Sequence, residues 1–180
     1  MNTTNWFELP EEQFNELIKL GNMYRREALK CHKAKAYVAA CTCAGAALET
    51  MLIAITHLLG EEVEAAGHVV KRRGKCKPLL NWTLRELLIT ASAMNWLPRG
   101  LADNSPWISR QAKIGDYVEA LRQTRNLIHP ARYIEDHSSH RVTHRYAEHY
   151  REILDAAVRY LGAIVEESLL KALDDSESGQ

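Results

Sequence analysis

Apolar residues recur along most of the chain at three- and four-residue intervals, the spacing that places them on one side of an α-helix. This pattern predicts helices over about residues 9–32, 33–59, 79–97 and 114–129, and a last helix from residue 139 or 141 to about 173. No segment shows the strict alternation of apolar and polar residues typical of a half-buried strand. We therefore predict an all-α protein, an up-and-down bundle of four to five main helices.

The same pattern suggests how the chain is organised. Residues 1–32 form an N-terminal helix packed on the bundle, residues 33–173 form the helical domain, and residues 174–180 form a polar tail. Gly60 is expected at the C-terminus of the second helix, and residues 61–78 as a connection or a short broken helix. In the last helix the predicted core-facing stripe is Tyr146, Tyr150, Ile153, Ala157, Tyr160, Ile164 and Leu169.

Composition narrows the class of protein. Of 180 residues, 46% are apolar and 26% are charged, and 23 basic residues balance 23 acidic ones, which disfavours a generally basic nucleic-acid binder but allows a local basic patch. The start of the chain lacks a signal-peptide pattern, and the longest apolar segment, residues 35–60, is interrupted by polar residues. We expect a cytoplasmic protein that does not enter a membrane, with its four cysteines as reduced, buried structural thiols.

One segment, "LRQTRNLIHP" at residues 121–130, concentrates candidate chemistry. At about 100° per residue, Arg122, Arg125, Asn126 and His129 fall within an arc of roughly 100° on one helix face. Pro130 ends the helix directly after His129, because the residue before a proline avoids the α conformation. The adjacent arc is apolar: Ile114, Val118, Leu121 and Ile128. The polar cluster therefore borders the core, as residues lining a groove or an interface would.

These residue types suit cleavage of a phosphodiester without a metal. Arginine binds phosphate oxygens through two parallel hydrogen bonds and keeps its charge. The negative end of the helix dipole favours the protonated form of His129, whereas the positive charges of the two arginines disfavour that form. The sequence does not decide between these effects, but either one leaves the histidine able to exchange a proton near neutral pH, as acid–base catalysis requires. The alternative interpretation is that these cations only complement the helix dipole.

The run also resembles the signature of the HEPN superfamily, small helical domains often linked to RNA cleavage. In that family an arginine, usually followed by a polar residue, precedes a histidine with about four to six residues between them, and "RNLIHP" is similar to the variant that closes with R-N-x-I-H-P. Arg122 has the required spacing to His129, with six residues between them, whereas Arg125 is followed by the polar Asn126 but has only three. We favour Arg122 as the key arginine, with Arg125 supporting it.

The resemblance covers about residues 35–170, which makes residues 33–173 a HEPN-like domain. "AGAALETMLIAI" is similar to the second helix of the family, which packs against the motif helix. Glu49 in that segment is either a carboxylate that pairs with the motif arginines or an exposed residue of the outer face. The resemblance further implies a homodimer in which two motif helices face each other across a shared cleft.

Other candidate residues lie outside the motif helix. The basic run "KRRGKCK" contains Arg72, Arg73 and Lys75, which either guide an RNA backbone or belong to a solvated loop. Arg132 and Tyr133 are candidate second contacts with RNA. His140 and His144 share a helix face, but nothing at a telling spacing completes a metal site, so we expect no metal and no cofactor.

The sequence therefore supports three hypotheses of different kinds. The first is a HEPN-like, metal-independent endoribonuclease of a toxin–antitoxin or phage-defence system, with His129 in proton transfer and the arginines on the scissile phosphate. The second is a non-catalytic HEPN-like dimeric module that binds a partner protein or a nucleotide. The third is a plain structural bundle. A cognate antitoxin or effector is an expected partner under the first hypothesis.

Overall fold

The computed structural model describes residues 5–97 and 142–178. Within these residues the chain forms five α-helices: α1 (Glu11–Lys33), α2 (Tyr37–Leu58), α3 (Gly60–Ala65), α4 (Leu84–Ala93) and α5 (His144–Ser178). A two-stranded hairpin, β1 (Lys71–Arg72) and β2 (Lys75–Cys76), and a 3-10 helix, Leu79–Asn81, lie between α3 and α4. The prediction of an all-α bundle is confirmed. The predicted motif helix, residues 114–129, lies outside the described residues.

Helix α2 is the centre of the bundle, with α1 and α5 packed against it. Helix α2 is also long and apolar enough to cross a membrane, with a mean hydropathy of 1.8 over its most apolar 18 residues. However, 56% of this 18-residue segment is buried inside the protein, as is typical of a core helix. Helices α1 and α2 approach closely at Gly21, where a Cβ atom would come within 2.7 Å of Thr50 Oγ1. Small residues therefore set the spacing of the first helical pair.

The turn between α1 and α2 shows why the second helix starts later than predicted. Pro10 and two acidic residues, Glu11 and Glu12, open α1, close to the predicted start at residue 9. The helix ends at Lys33 because Lys35 adopts a left-handed backbone conformation, with φ at 61°. That residue reverses the chain, so α2 begins at Tyr37 and not at residue 33.

Gly60 does not have the predicted role. It is the first residue of α3 and not a left-handed cap of α2. A Cβ atom at this position would overlap the ring of Phe7, so glycine is required by the close approach of an aromatic side chain. The sequence pattern misses this because the contact joins residues far apart in the chain.

An aromatic cluster near the N-terminus, made of Trp6, Phe7 and Trp82, closes one end of the core. All three side chains are buried. The rings of Trp6 and Trp82 stack at 5.1 Å with an interplanar angle of 4°, and Phe7 meets Trp6 edge-on at 5.0 Å. The Leu79 amide donates to the Trp6 carbonyl at 2.9 Å. These contacts fasten the first residues to the segment before α4.

Helix α4 is shorter than the predicted third helix. Thr83 is extended, with ψ at 155°, and forms a capping box with Glu86: its Oγ1 accepts from the Glu86 amide at 3.3 Å, and Glu86 Oε2 accepts from the Thr83 amide at 2.6 Å. Asn95, with φ at 57°, follows the other end. The helix therefore covers residues 84–93 and not 79–97.

Helix α5 confirms most of the predicted stripe and corrects one position. Tyr150, Ile153 and Ala157 are buried, and Tyr146 and Ile164 are partly buried against the core. Tyr160 is 36% exposed, whereas Leu161 is buried in its place. From Tyr146 the buried seam advances by four, three, four and four residues to Leu161, whereas a three-residue step from Ala157 would have reached Tyr160. The helix also continues to Ser178, past the predicted end near residue 173.

Candidate functional site

The predicted site is divided between described and undescribed residues. His129, Arg122, Arg125, Asn126, Arg132 and Tyr133 lie outside the described residues. Glu49, Arg72, Arg73 and Lys75 lie within them. The described residues therefore include Glu49 and three of the five predicted RNA contacts, while the roles of the catalytic residues and of the other two RNA contacts stay predictions.

Glu49 lies in the middle of α2, between the buried residues Leu48 and Thr50. Its side chain is partly buried, so it is neither a fully exposed residue of the outer face nor a core residue. A carboxylate held at the edge of a core requires compensating charge or hydrogen bonds. The predicted pairing of Glu49 with the motif arginines remains a prediction.

Residues 71–76 form an exposed basic hairpin where a loop or a broken helix was expected. The two strands pair antiparallel, with Lys71 opposite Cys76 and Arg72 opposite Lys75. Arg73 and Gly74 make the turn, with φ at 51° and 79°. Two consecutive left-handed residues are the geometry of a tight two-residue hairpin turn, which twists in the same sense as the strands.

The charges of the basic hairpin are arranged at a cost in stability. Arg72 and Lys75 are cross-strand neighbours of like charge, a pairing that destabilises a sheet. Arg73 adopts a left-handed conformation that favours glycine or asparagine. Among residues 5–97 and 142–178, no ion pair within 4.0 Å involves Lys71, Arg72, Arg73 or Lys75. Such a concentration of exposed cations matches a surface that meets an anion.

Lys77 differs from the other cations of the run, because it anchors the hairpin. Its Nζ donates to Glu86 Oε2 at 2.7 Å, its carbonyl accepts from Trp82 Nε1 at 2.8 Å, and its amide donates to the Val70 carbonyl at 2.9 Å. Burial by itself raises the pKa of Glu86, but hydrogen bonds from Lys77 and Thr83 outweigh that effect and lower it below the ordinary value. The basic run thus separates into one structural lysine and four exposed cations.

Sequence reasoning missed the hairpin because its signal is weak. Strands of two residues are too short to show alternation, and the turn carries Arg-Gly in place of the Asn-Gly or Asp-Gly that usually marks such turns. The glycine in the second turn position was the available signal. Only the pairing of residues 71 and 72 with residues 76 and 75 distinguishes the hairpin from a solvated loop.

The histidine-rich segment and the cysteines were the remaining candidates. His140 lies outside the described residues, and the His144 ring packs beside His32 at 5.1 Å and Tyr37 at 5.7 Å. Within the described ranges no three metal-ligating side chains cluster together. Cys41 is buried, and burial raises the pKa of its thiol to about 12. Cys76 is exposed, so the prediction of buried thiols is wrong for this residue.

Comparisons with protein-family models, with curated proteins and with solved structures find no match to this chain.

Proposed function

We propose that this protein is a HEPN-like, metal-independent endoribonuclease that acts in the cytoplasm as a homodimer. The observation that carries the proposal is the run of residues 121–130, in which an arginine, a second arginine with its asparagine, and a histidine before a proline share one helical face. A toxin–antitoxin or phage-defence role, with a cognate antitoxin or effector as partner, belongs to the same proposal.

The chemistry assigns one task to each motif residue. His129 moves a proton at the attacking 2′-hydroxyl or at the leaving 5′-oxygen, which is general acid–base catalysis. Arg122 binds the non-bridging oxygens and stabilises the charge that grows on them in the transition state, and Arg125 supports it. Asn126 orients a phosphate oxygen or a catalytic side chain. The second half of the site comes from the same residues of the partner subunit.

The basic hairpin supports the RNA part of the proposal. Its exposed cations lie on a short, anchored element, so their positions relative to the bundle are constrained by Lys77. Contacts between cations and phosphates release counterions, so they appear as a salt dependence of affinity. Replacing Arg72, Arg73 and Lys75 together by glutamine should reduce the slope of log Kobs against log salt by about 2 for single-stranded RNA.

The catalytic assignment is tested with purified protein and single-stranded RNA in excess chelator. We expect the wild type to cleave, and the His129→Ala and Arg122→Ala variants to lose at least about 100-fold in rate. Arg125→Ala should lose less if Arg122 is the key arginine. His68→Ala, an exposed histidine that follows α3, is the matched control and should cleave normally.

Two outcomes would contradict the proposal. Cleavage that persists unchanged in both the His129 and Arg122 variants would remove the motif from catalysis. A wild type that cuts no RNA, together with an Arg122→Ala variant that falls from dimer to monomer in sedimentation, would favour the non-catalytic dimeric module that binds a partner protein or a nucleotide.

A further inference from the structure

A groove runs between α1 and α5 over the surface of α2. Both outer helices pack on α2, but they make few contacts with each other, so α2 forms the floor and α1 and α5 form the walls. The groove holds a cavity of about 330 Å³, lined mainly by apolar side chains, among them Leu17, Ile18, Met51, Leu58, Val158 and Val165. That volume lies at the lower end of the roughly 300–1,000 Å³ of small-molecule sites.

Two glycines line this cavity for different reasons. Gly21 lets α1 approach Thr50, as described above. Gly162 lies inside α5, where a Cβ atom would meet nothing within 4 Å. Glycine in a helix interior lowers helix stability, and no packing contact in the described protein requires it here. The missing side chain widens the groove at this position.

One end of the groove is cationic. Arg25 borders the apolar cavity and also a second cavity of about 270 Å³, which is lined by Arg151, Asp155 and His32 as well. Asp155 faces both guanidinium groups, with Oδ1 at 4.0 Å from Arg25 Nη2 and Oδ2 at 3.5 Å from Arg151 Nη1. These separations are long for charge-assisted hydrogen bonds, which are about 2.7–2.9 Å. Two guanidiniums therefore share one loosely held carboxylate.

His32 adds a polar atom without a partner to the same end. Its Nε2 is buried and has no hydrogen bond to any described residue. Buried polar atoms are seldom left without a hydrogen bond, so this nitrogen marks an unsatisfied polar environment beside the second cavity. The groove thus has an apolar length that ends in two guanidinium groups.

We propose that this groove binds a small amphipathic anion, with an apolar chain along α2 and a carboxylate or phosphate group at Arg25 and Arg151. The oxyanion takes the guanidinium donors that Asp155 holds only loosely. The site uses none of the residues assigned to RNA cleavage, so either proposal stands or falls without the other.

The ligand class is tested by isothermal titration with probes that separate chain from charge. Decanoate and decyl phosphate carry both parts and distinguish a carboxylate from a phosphate preference. Decanol carries only the chain, while acetate and inorganic phosphate carry only the charge. We expect one or both complete probes to bind at least about tenfold more tightly than decanol, and the short anions not to bind measurably. Octanoate should bind more weakly than decanoate, by roughly fourfold for each methylene removed.

Substitutions in the groove test whether the probe binds there. Gly162→Leu should abolish binding by filling the cavity, while thermal unfolding stays unchanged or rises because the position is open and leucine favours helix. Arg25→Gln combined with Arg151→Gln should weaken binding of the anions to the level of decanol. Asp155→Asn should tighten it severalfold by removing the competing carboxylate. Arg26→Gln, an exposed neighbour on α1 that does not line either cavity, is the matched control.

Three results would overturn the proposal. The first is equal binding by wild type and Gly162→Leu, which would put the probe elsewhere. The second is equal affinity for decanoate and decanol, which would remove the anion site. The third is an absence of binding together with a Gly162→Leu variant that shifts from dimer to monomer in sedimentation, which would make the groove a contact between two copies of the chain.

Discussion

The aromatic cluster and the basic hairpin are joined through the hydrogen bond between Trp82 and Lys77, yet opposite kinds of contact determine them. Trp6, Phe7 and Trp82 are each at least 93% buried, and their rings fill space against one another. The basic hairpin is exposed throughout, and its backbone turn and its charges define it. The cluster is stabilised by what it packs against, whereas the hairpin carries an unfavourable like-charge pair, Arg72 opposite Lys75.

The two regions meet at Lys77, whose carbonyl accepts from Trp82 and whose ammonium group pairs with Glu86. The cluster thereby supports the hairpin, but the hairpin contributes little to the cluster. Substitutions should therefore affect stability strongly on one side of Lys77 and weakly on the other.

The largest effect is expected for Trp6→Ala. Removing a buried tryptophan that stacks on Trp82 should lower the free energy of unfolding by about 3–5 kcal/mol, through lost apolar burial and the cavity left behind. Trp6→Phe, which keeps a ring, should lose much less. The measurement is urea unfolding followed by circular dichroism, and a loss under about 1 kcal/mol for Trp6→Ala would mean that the cluster does not close the core.

Gly60→Ala should lower the free energy of unfolding by about 1–3 kcal/mol, because the added methyl group overlaps the Phe7 ring. The same substitution at Gly162 is the matched control and should raise stability by up to about 1 kcal/mol, since nothing lies near that position. Combining Gly60→Ala with Phe7→Ala should remove most of the added penalty. Independent, additive effects in that double-mutant cycle would contradict the steric explanation.

Thr83→Ala should lower the free energy of unfolding by about 1 kcal/mol, because the capping box of α4 loses its side-chain acceptor. Thr83→Ser keeps the hydroxyl and should restore most of the loss. Thermal unfolding of the three proteins measures the effect. No difference between serine and alanine at this position would argue against the cap.

Arg72→Glu should raise the free energy of unfolding by about 0.2–1 kcal/mol while weakening RNA binding, since it replaces a like-charge pair with Lys75 by an opposite-charge pair. Lys75→Glu should behave in the same way, whereas the double exchange restores a like-charge pair and should return stability toward wild type. Urea unfolding and filter binding measure the two properties. Stability lost in both single variants would show that the charges are not in conflict.

The smallest effect is a pH dependence at Glu86. The pKa of this carboxyl is lowered in the folded protein, so its contribution to stability is present above its unfolded pKa of about 4.3 and disappears as pH falls through the folded value. Glu86→Gln should therefore be less stable than wild type near pH 6, and the difference should shrink as the pH falls below the unfolded pKa. Glu61→Gln, on the exposed side of α3, is the control and should change stability by less than about 0.5 kcal/mol at either pH. A gap that widens at acidic pH would contradict the sign.

Periodicity predicted the helices well where one long helix face is buried. It predicted helix ends and buried positions poorly where a single residue, or a contact between residues distant in the chain, determines them. Helix α2 and the stripe of α5 were predictable, because burial on one side leaves a repeated apolar pattern. Tyr160 was misplaced because an aromatic residue one position off the seam looks like part of it. In the candidate site, the sequence predicted which exposed cations are available but not that they lie on a hairpin. The roles of the motif residues 122–129 remain a prediction.

By itself, the sequence determined the all-α class, the apolar character of the second helix and the concentration of cations at residues 71–77, since these follow from composition and spacing. Only the tertiary structure decided that Gly60 makes room for Phe7, that Lys77 is an anchor while Arg72 faces Lys75, and that Arg25 joins an apolar groove to a cationic end. Each of these features depends on contacts between residues of different helices or strands. Such contacts leave no periodic pattern in the sequence.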